Sequence, residues 1–212
     1  MVSPDFPGIE TSRLLLRPME LADAPAIYAY WSDAEFHRYV STEPPASLDI
    51  AREMVRGWIA LAAEKRRPFW VMVARESNRV VGTISINVLD KTNHCGQLGY
   101  EVAREQWGKG IATEAVRAVL SYGFGTMGLN RIAAYCWDGN VASQRVMEKA
   151  GMRYEGTLRQ VRYSKGVYHD MRRYSRLASE WRAGEAQGHD GSDSEQATGS
   201  EGKSEVRNQN DD

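Results

Sequence analysis

The sequence predicts a mixed α/β fold in which helices cover a central β-sheet. Strand-like runs of β-branched and aromatic residues precede and follow two amphipathic segments in the second half of the chain, and a meander of short strands comes before them. No internal repeat interrupts this order. The content of 42% hydrophobic and 26% charged residues is ordinary for a globular domain, so the chain can bury a core between these elements.

The first third of the chain predicts one strand and two helical regions. Residues 13–17 form the strand, which Pro18 stops, and helical segments follow over residues 23–37. Ser47 is an N-cap candidate for a helix that reaches about residue 65. We expect this helix to bury the apolar residues that recur at helical spacing, namely Ile50, Met54, Trp58 and Leu61.

The remaining elements alternate between strands and helices, each closed by a turn signal. In chain order they are a hairpin of strands at 69–74 and 80–89, a strand at 97–103, a helix at 109–126 ended by Gly128, a strand at 131–137, a helix at 141–150 closed by Gly151, and two strands within 152–176 around Lys165-Gly166. The helix at 109–126 offers two adjacent apolar rows and so a wide buried face.

A glycine turn joins the strand at 97–103 to the long helix, in the sequence Trp107-Gly108-Lys109-Gly110-Ile111. The first amides of a helix have no intrahelical partner, and the helix dipole places partial positive charge there. Glycines let an anion come close to those amides. The turn therefore predicts a cradle for phosphate or pyrophosphate, although a tight connection that binds nothing would show the same spacing.

Two familiar phosphate motifs do not fit this turn. A P-loop is excluded because Lys109 lies between the two glycines and Ile111 follows the second. A dinucleotide fingerprint requires a third small residue three positions after Gly110, where Thr113 stands.

Charge divides the chain into two parts. Residues 183–212 hold eight acidic and two basic side chains, a net charge of −6, and are rich in polar residues, whereas residues 1–182 carry +5. We predict a folded domain over 1–182 and a disordered acidic tail over 183–212. The mildly basic domain suits an anionic ligand, but its charge is too weak to predict nucleic-acid binding.

Composition also bears on the compartment and on metals. No apolar run approaches the ~20 residues of a membrane span, and no signal pattern opens the chain, so we expect a cytoplasmic protein without a membrane partner. Cys95 and Cys136 are too few for a disulfide scaffold. The four histidines lack metal-ligand spacing, so we expect no metal site.

Six sequence blocks resemble the GNAT superfamily of N-acetyltransferases over roughly residues 11–181. They are most similar to the branch typified by bacterial ribosomal-protein N-terminal acetyltransferases. The blocks are 11–17 with Asp23, 81–84, 98–102, 107–115, 140–143 with 148–152, and 166–170 before 180–181. Gly108 and Gly110 match the family's acyl-CoA signature, Gln/Arg-x-x-Gly-x-Gly/Ala, whereas Glu105 occupies its Gln/Arg position.

The resemblance implies a mostly antiparallel sheet in which one parallel pair, here 97–103 and 131–137, splays apart to admit acetyl-CoA. It implies that pantetheine pairs with the backbone of Val102 and that Asn140 contacts the pantetheine arm, although Asn140 is also placed as a helix N-cap. The pyrophosphate would lie on the amides of Gly108, Lys109, Gly110, Ile111 and Ala112.

The same resemblance suggests the groups that carry the chemistry. By analogy with the family, the Val102 amide is the candidate oxyanion donor. Glu101 is the candidate general base because it is the carboxylate nearest in sequence to the expected carbonyl, although a surface or ion-paired strand residue would also fit this position. Strand alternation sends Glu101 to the face opposite Tyr100 and Val102 unless a bulge intervenes. Met147 stands where many members place a tyrosine acid, so Ser143 is the expected proton donor to the thiolate, with Tyr100 as the alternative.

The resemblance predicts an acetyl-CoA-dependent N-acetyltransferase acting on a primary amine, most readily a protein or peptide N-terminus, as a monomer or homodimer. Acetylation of a small amine such as an amino acid, polyamine or aminoglycoside stays open, as does a non-catalytic acyl-CoA sensor. Candidate residues for lining the acceptor side are Trp31, Tyr39, Trp58, Tyr163 and Tyr168.

Overall fold

One mixed sheet forms the centre of the computed structural model, which describes residues 6–65 and 67–189. The strands are β1 Ile9–Glu10, β2 Leu14–Pro18, β3 Phe69–Ala74, β4 Arg79–Asp90, β5 Cys95–Val102, β6 Arg131–Trp137, β7 Arg153–Ser164 and β8 Val167–Leu177. Over the described residues they lie in the order β1-β2-β3-β4-β5-β6-β8-β7. Neighbouring strands are antiparallel except β5 and β6, which confirms the predicted fold class.

Helices cover both faces of this sheet. They are α1 Ala24–Trp31, α2 Leu48–Lys65, α3 Ile111–Gly125, α4 Val141–Lys149 and α5 Ala178–His189. Alternation along β3 shows the two layers, since Trp70 and Met72 face the core that contains α3, while Val71 and Val73 face the core that contains α1 and α2. Strand β3 is therefore buried on both sides and has apolar residues at successive positions.

The predicted buried face is correct for α3 and wrong in part for α2. On α3, Ala115, Val116, Val119 and Leu120 are all fully buried. On α2 the Ser47 hydroxyl caps the helix by accepting from the Ile50 amide at 3.3 Å, as expected.

The α2 row that meets the core is rotated from the predicted one. Ile50 and Leu61 are 47% and 37% exposed, whereas Ala51, Val55 and Ala62 are buried. Two neighbouring rows of α2 are apolar, and the smaller side chains lie against the core.

The parallel ladder between β5 and β6 stops halfway along both strands. It runs from Cys95↔Arg131 to Leu98↔Ala134 and then ends. Beyond that point β5 stays paired with β4 as far as Val102, and β6 stays paired with β8 as far as Trp137. A gap therefore opens in the sheet between two strands that are each held from the other side, as the resemblance implied.

The last helix passes the predicted domain boundary. Trp181 packs against Phe124 of α3 with ring centroids 6.1 Å apart, and α5 continues to His189. The boundary predicted at residue 182 thus falls within a helix, and the rest of the predicted tail, 190–212, lies outside the described residues. None of the described helices has the length and apolar character that a membrane span requires.

Gly123 tests how tightly α3 packs on the sheet. A Cβ at Gly123 would lie 2.5 Å from Ile132 Cδ1 and 3.1 Å from Ile86 Cδ1, and both isoleucines are fully buried. We expect Gly123→Ala to lower the free energy of unfolding by about 1–3 kcal/mol, because the buried core has little room to yield.

The matched control is Gly125→Ala at the end of the same helix, where a Cβ would meet nothing within 4 Å. We expect it to be neutral or to stabilise by up to about 1 kcal/mol through helix propensity. Urea unfolding of both variants measures the difference, and equal stabilities would contradict this packing.

Candidate active site

The turn before α3 presents backbone amides to solvent. Gly108 and Gly110 adopt left-handed conformations with φ of 74° and 79°, and Gly110 is the N-cap of α3 without a side-chain cap. Within the described residues, the amides of Ile111 and Ala112 have no protein acceptor. The Lys109 amide lies 3.4 Å from the Gln106 carbonyl. The turn therefore has the free donors and the exposed position that an anion requires.

An ion-pair clamp fixes this turn to the N-terminal segment. Glu114, on the first turn of α3, accepts from the Thr11 hydroxyl at 2.6 Å and from Arg13 Nε at 2.6 Å. Arg13 Nη1 also donates to the Lys109 carbonyl at 2.8 Å. Burial opposes ionisation of Glu114, but the hydrogen bonds from Thr11, Arg13 and Ser12 outweigh it and lower the pKa of its carboxyl.

Sequence reasoning missed this clamp. It used residues 11–17 only as a family block and gave Glu114 no role, although both ends lie in matching blocks. Two residues could have indicated it. Glu114 is an acid on the first turn of α3, and Arg13 is a base in the first family block, so the two could have been predicted to pair.

The end of β5 leaves the Val102 amide facing the gap. The Ala103 amide donates to the Val81 carbonyl at 2.8 Å, so Gly82 and Val102 form a non-hydrogen-bonded antiparallel pair whose own amides and carbonyls point away from each other. The Val102 carbonyl accepts from Trp107 Nε1 at 2.8 Å, which ties the strand end to the glycine turn. The predicted oxyanion donor therefore lies at the free edge of β5.

Gly82 is required by the close approach of these two strands. A Cβ at this position would lie 2.2 Å from the Glu101 carbonyl oxygen, a distance that no real contact shows. Any side chain there would push the end of β5 away from β4.

Glu101 lies on the α1 face of the sheet in a partly buried position. Strand alternation holds because the pairing of β4 with β5 is regular here. Trp31 Nε1 donates to its carboxylate at 3.0 Å, and Thr83 on β4 hydrogen-bonds it too. Burial raises the pKa of the Glu101 carboxyl to about 7 against these two hydrogen bonds. The neighbouring titratable group on α1, Tyr30, has its pKa raised by burial and then by the Glu101 charge.

Ser143 lies on the opposite face, at the start of α4. Its amide donates to Asn140 Oδ1 at 3.0 Å, so Asn140 is the N-cap of α4. Its hydroxyl lies 2.7 Å from the Tyr100 hydroxyl, and the Cys136 thiol lies close enough for Ser143 to affect its pKa. Burial raises the pKa of the Tyr100 hydroxyl and brings that of the Cys136 thiol to about 11, so both groups keep their protons at neutral pH.

The structure thus joins Ser143 and Tyr100, which the sequence treated as alternatives, and adds Cys136, which it treated as an unremarkable thiol. Met147 is fully buried in the core, in agreement with a packing role.

The expected acceptor-side residues fall into three groups. Trp31 is buried and contacts Glu101, while Tyr39 donates to the Gly139 carbonyl at 2.9 Å and so joins the segment after α1 to the start of α4. Trp58 packs within the α1–α2 core, 5.2 Å from the Trp31 ring. The other two, Tyr163 and Tyr168, are exposed on the β7–β8 hairpin.

Across residues 6–65 and 67–189, no group of three or more His, Cys, Asp or Glu side chains could hold a metal ion. Cys95 and Cys136 are both free thiols.

Residues 13–153 match the family model of the acetyltransferase (GNAT) domain. The chain belongs to the GNAT family. Uncharacterised N-acetyltransferase YoaA of Bacillus subtilis is 39% identical over 170 residues, which cover 80% of this chain and 96% of that protein. Putative ribosomal N-acetyltransferase YdaF of the same organism is 41% identical over 145 residues, covering 66% and 75% respectively. A GNAT-family acetyltransferase from Bacillus anthracis superposes with a TM-score of 0.74 at 30% identity, over 82% of this chain and all of that one.

Membership of the GNAT family makes the protein an acyltransferase whose cosubstrate is acetyl-CoA. The site fits that molecule on its own terms. The glycine turn offers unpaired amides to a diphosphate, and the free edge of β5 offers a backbone donor to an extended amide chain.

Gly108 tests the cradle against a matched glycine. Gly108 and Gly166 have φ of 74° and 80°, and a Cβ at either would meet nothing within 4 Å, so Gly→Ala imposes the same left-handed strain at both. We expect each variant to lose roughly 1–2 kcal/mol of stability. Only Gly108→Ala should weaken CoA binding, by about tenfold, because the strained turn moves its amides.

Isothermal titration with CoA measures both variants, with Gly166→Ala on the β7–β8 turn as the control. Equal affinities for the two would place the diphosphate elsewhere.

Proposed function

We propose that this GNAT acetyltransferase acetylates the N-terminal α-amine of a protein or peptide. The observation that carries the proposal is the Glu101 carboxyl, which Trp31 and Thr83 hold beside the gap with a pKa of about 7. An α-amine has a pKa of about 7.7–8.0, so this base can deprotonate it near neutral pH. A lysine or polyamine amine has a pKa of about 10.4, so the Glu101 carboxyl deprotonates it far less readily.

Two further observations support a protein acceptor over a polycationic small molecule. The relative YdaF is named a putative ribosomal N-acetyltransferase. Asp138, the acidic residue at the end of β6, is paired with Arg172 at 2.6 Å and does not offer a free charge to a polyamine.

The cradle and the strand edge would position the cosubstrate. The amides of the turn, from Gly108 to Ala112, would hold the diphosphate, as the helix dipole favours. The free edge of β5 at Val102 would then pair with the pantetheine arm. The Asn140 side chain, whose oxygen caps α4, keeps its amide nitrogen for a contact with the same arm. Acetyl-CoA itself supplies the activated acetyl group.

Four groups would act on the reacting atoms from the two faces of the sheet. Glu101 takes the amine proton from the α1 side. The Val102 amide donates to the carbonyl oxygen as negative charge develops there, a type of contact worth about 2.7–4 kcal/mol in known cases. On the α4 side the Ser143 hydroxyl protonates the departing thiolate, and the Tyr100 hydroxyl, which lies 2.7 Å from Ser143 Oγ, then supplies a proton to that oxygen. A solvent proton restores this pair.

The choice of acceptor is tested by thiol release from acetyl-CoA with matched amines. A peptide with a free Ala or Ser N-terminus should release CoA thiol at least tenfold faster than spermidine or free alanine. The same peptide with a blocked N-terminus and one internal lysine is the control and should be inert. Release with spermidine and none with any free peptide would contradict the proposal.

The base is tested by the pH dependence of Glu101→Gln. In the wild-type enzyme kcat/KM should fall about tenfold per pH unit below the amine pKa and about 100-fold per pH unit below the Glu101 pKa of about 7, because the amine must be neutral and only the ionised carboxyl accepts a proton. The steeper limb below pH 7 is due to Glu101. Glu101→Gln should lower kcat by about 10²–10⁴-fold and remove that limb, which leaves only the titration of the amine. CoA affinity measured by calorimetry is the control and should not change. A mutant that keeps the limb near pH 7 would remove Glu101 from the reaction.

A further inference from the structure

The β7–β8 hairpin extends beyond the rest of the sheet. Strand β6 pairs with β8 from Arg131↔Leu177 to Trp137↔Met171, so residues 159–168 form a two-stranded ribbon, and no other described strand lies beside it. We call this segment the distal ribbon. The apolar and aromatic side chains of the distal ribbon are unusually exposed. The exposed fractions are 57% for Val161, 62% for Tyr163, 53% for Val167 and 64% for Tyr168.

The charge of the distal ribbon has one sign. Arg159, Arg162 and Lys165 are exposed, and no acidic residue occurs from 159 to 169. Within the described residues, no carboxylate forms an ion pair with any of the three. At the base of the same hairpin the pattern is different, because Arg172 and Arg173 are paired with acids.

The first acid that follows the distal ribbon in sequence is already engaged by the backbone. Asp170 accepts from the Gln160 amide at 2.7 Å, at the irregular pairing between Leu158 and Arg162. That irregularity interrupts the outer edge of β7, which disfavours pairing with a strand of a second copy. Recognition by the ribbon therefore falls to its side chains.

Direct contacts connect the distal ribbon to the site. Lys165 Nζ donates to the His37 carbonyl at 2.7 Å, and Ser164 Oγ donates to the Ser41 carbonyl at 2.8 Å. The His37 ring lies edge-on to Trp31, with ring centroids 5.3 Å apart, and Trp31 donates to Glu101. On β8 the His169 ring lies 3.9 Å from that of Trp137 at the end of β6. The distal ribbon therefore packs on the segment that contacts Trp31, the side chain that donates to Glu101.

We infer that the distal ribbon is a docking surface for an acidic segment of the protein acceptor, just downstream of the N-terminus that is acetylated. The inference rests on the proposed N-terminal acetylation. The three cations, which form no ion pair with a described carboxylate, complement acidic side chains, and the adjacent Tyr163 and Tyr168 rings, 4.9 Å apart, supply an amphipathic surface of the kind enriched at protein interfaces. Acceptors that are basic after their first residues are repelled by the same cations.

The experiment uses three synthetic peptides with one N-terminal sequence, Ser-Ala-Gly-Ala. The downstream half of each is built from alanine with glutamate, glutamine or lysine. We expect the glutamate peptide to have a KM about fivefold lower than the glutamine peptide, and the lysine peptide to have the highest KM, since each exposed ion pair contributes a factor of roughly two. Sodium chloride at about 0.5 M should remove most of the preference.

The test variant is the double replacement Arg159→Gln/Arg162→Gln. It should raise the KM for the glutamate peptide about fivefold, leave the KM for the glutamine peptide unchanged and leave kcat unchanged for both. The matched control is Lys91→Gln/Arg182→Gln, which removes the same charge from exposed sites near the opposite end of the sheet. The control should behave as the wild type.

The outcomes separate this inference from the proposed function. If no free peptide is acetylated, N-terminal acetylation itself is wrong. If all three peptides are acetylated with equal KM, or if both double variants change KM alike, the ribbon does not recognise acidic acceptors. Inhibition by a short oligouridylate that the ribbon variant abolishes, with no charge preference among peptides, would assign the surface to nucleic acid and overturn the inference.

Discussion

The whole site depends on the point where β5 and β6 stop hydrogen-bonding to each other. After Leu98 and Ala134 each strand continues for several residues, and among the described strands it is paired there with its outer neighbour alone. The amide of Val102 is therefore left without a strand partner while its position stays fixed by β4. Gly82 makes this fixation possible, because any side chain there would collide with the Glu101 carbonyl. A backbone donor at a fixed position is what both pantetheine pairing and oxyanion stabilisation require.

The electrostatics of Glu101 follow from the same geometry. Because β5 is regular, the Glu101 carboxyl points into the α1 layer. Burial there outweighs the hydrogen bonds from Trp31 and Thr83 and raises the pKa of this carboxyl to about 7. The pKa of a glutamate in the unfolded chain is about 4.3. Between that pH and the folded-state pKa of about 7 the folded state binds more protons than the unfolded state, so the free energy of unfolding falls as pH rises through this range. A buried carboxyl with a raised pKa, whose ionised form lowers the stability of the fold, is typical of functional sites.

The sequence predicted the order of elements well and the orientation of some poorly. Glycine and asparagine signals located turns and caps, such as Asn140 before α4 and Gly110 before α3, because those residues answer local backbone demands. The buried row of α2 was predicted wrongly at Ile50 and Leu61 because two adjacent rows are apolar and only the neighbouring layer selects between them. The domain boundary was predicted at residue 182 from composition alone, which did not indicate that α5 continues to His189.

By itself the sequence determined the fold class, the family and the glycine turn, since each is written in short-range patterns of residue type and spacing. The tertiary structure alone decided which distant groups meet. Ser143 and Tyr100 are 43 residues apart and Arg13 and Glu114 are 101 apart, yet both pairs are hydrogen-bonded. The physical reason is that hydrogen bonds and burial depend on distances in space, and the stacking of helix and strand layers that sets those distances is a property of the whole packed core.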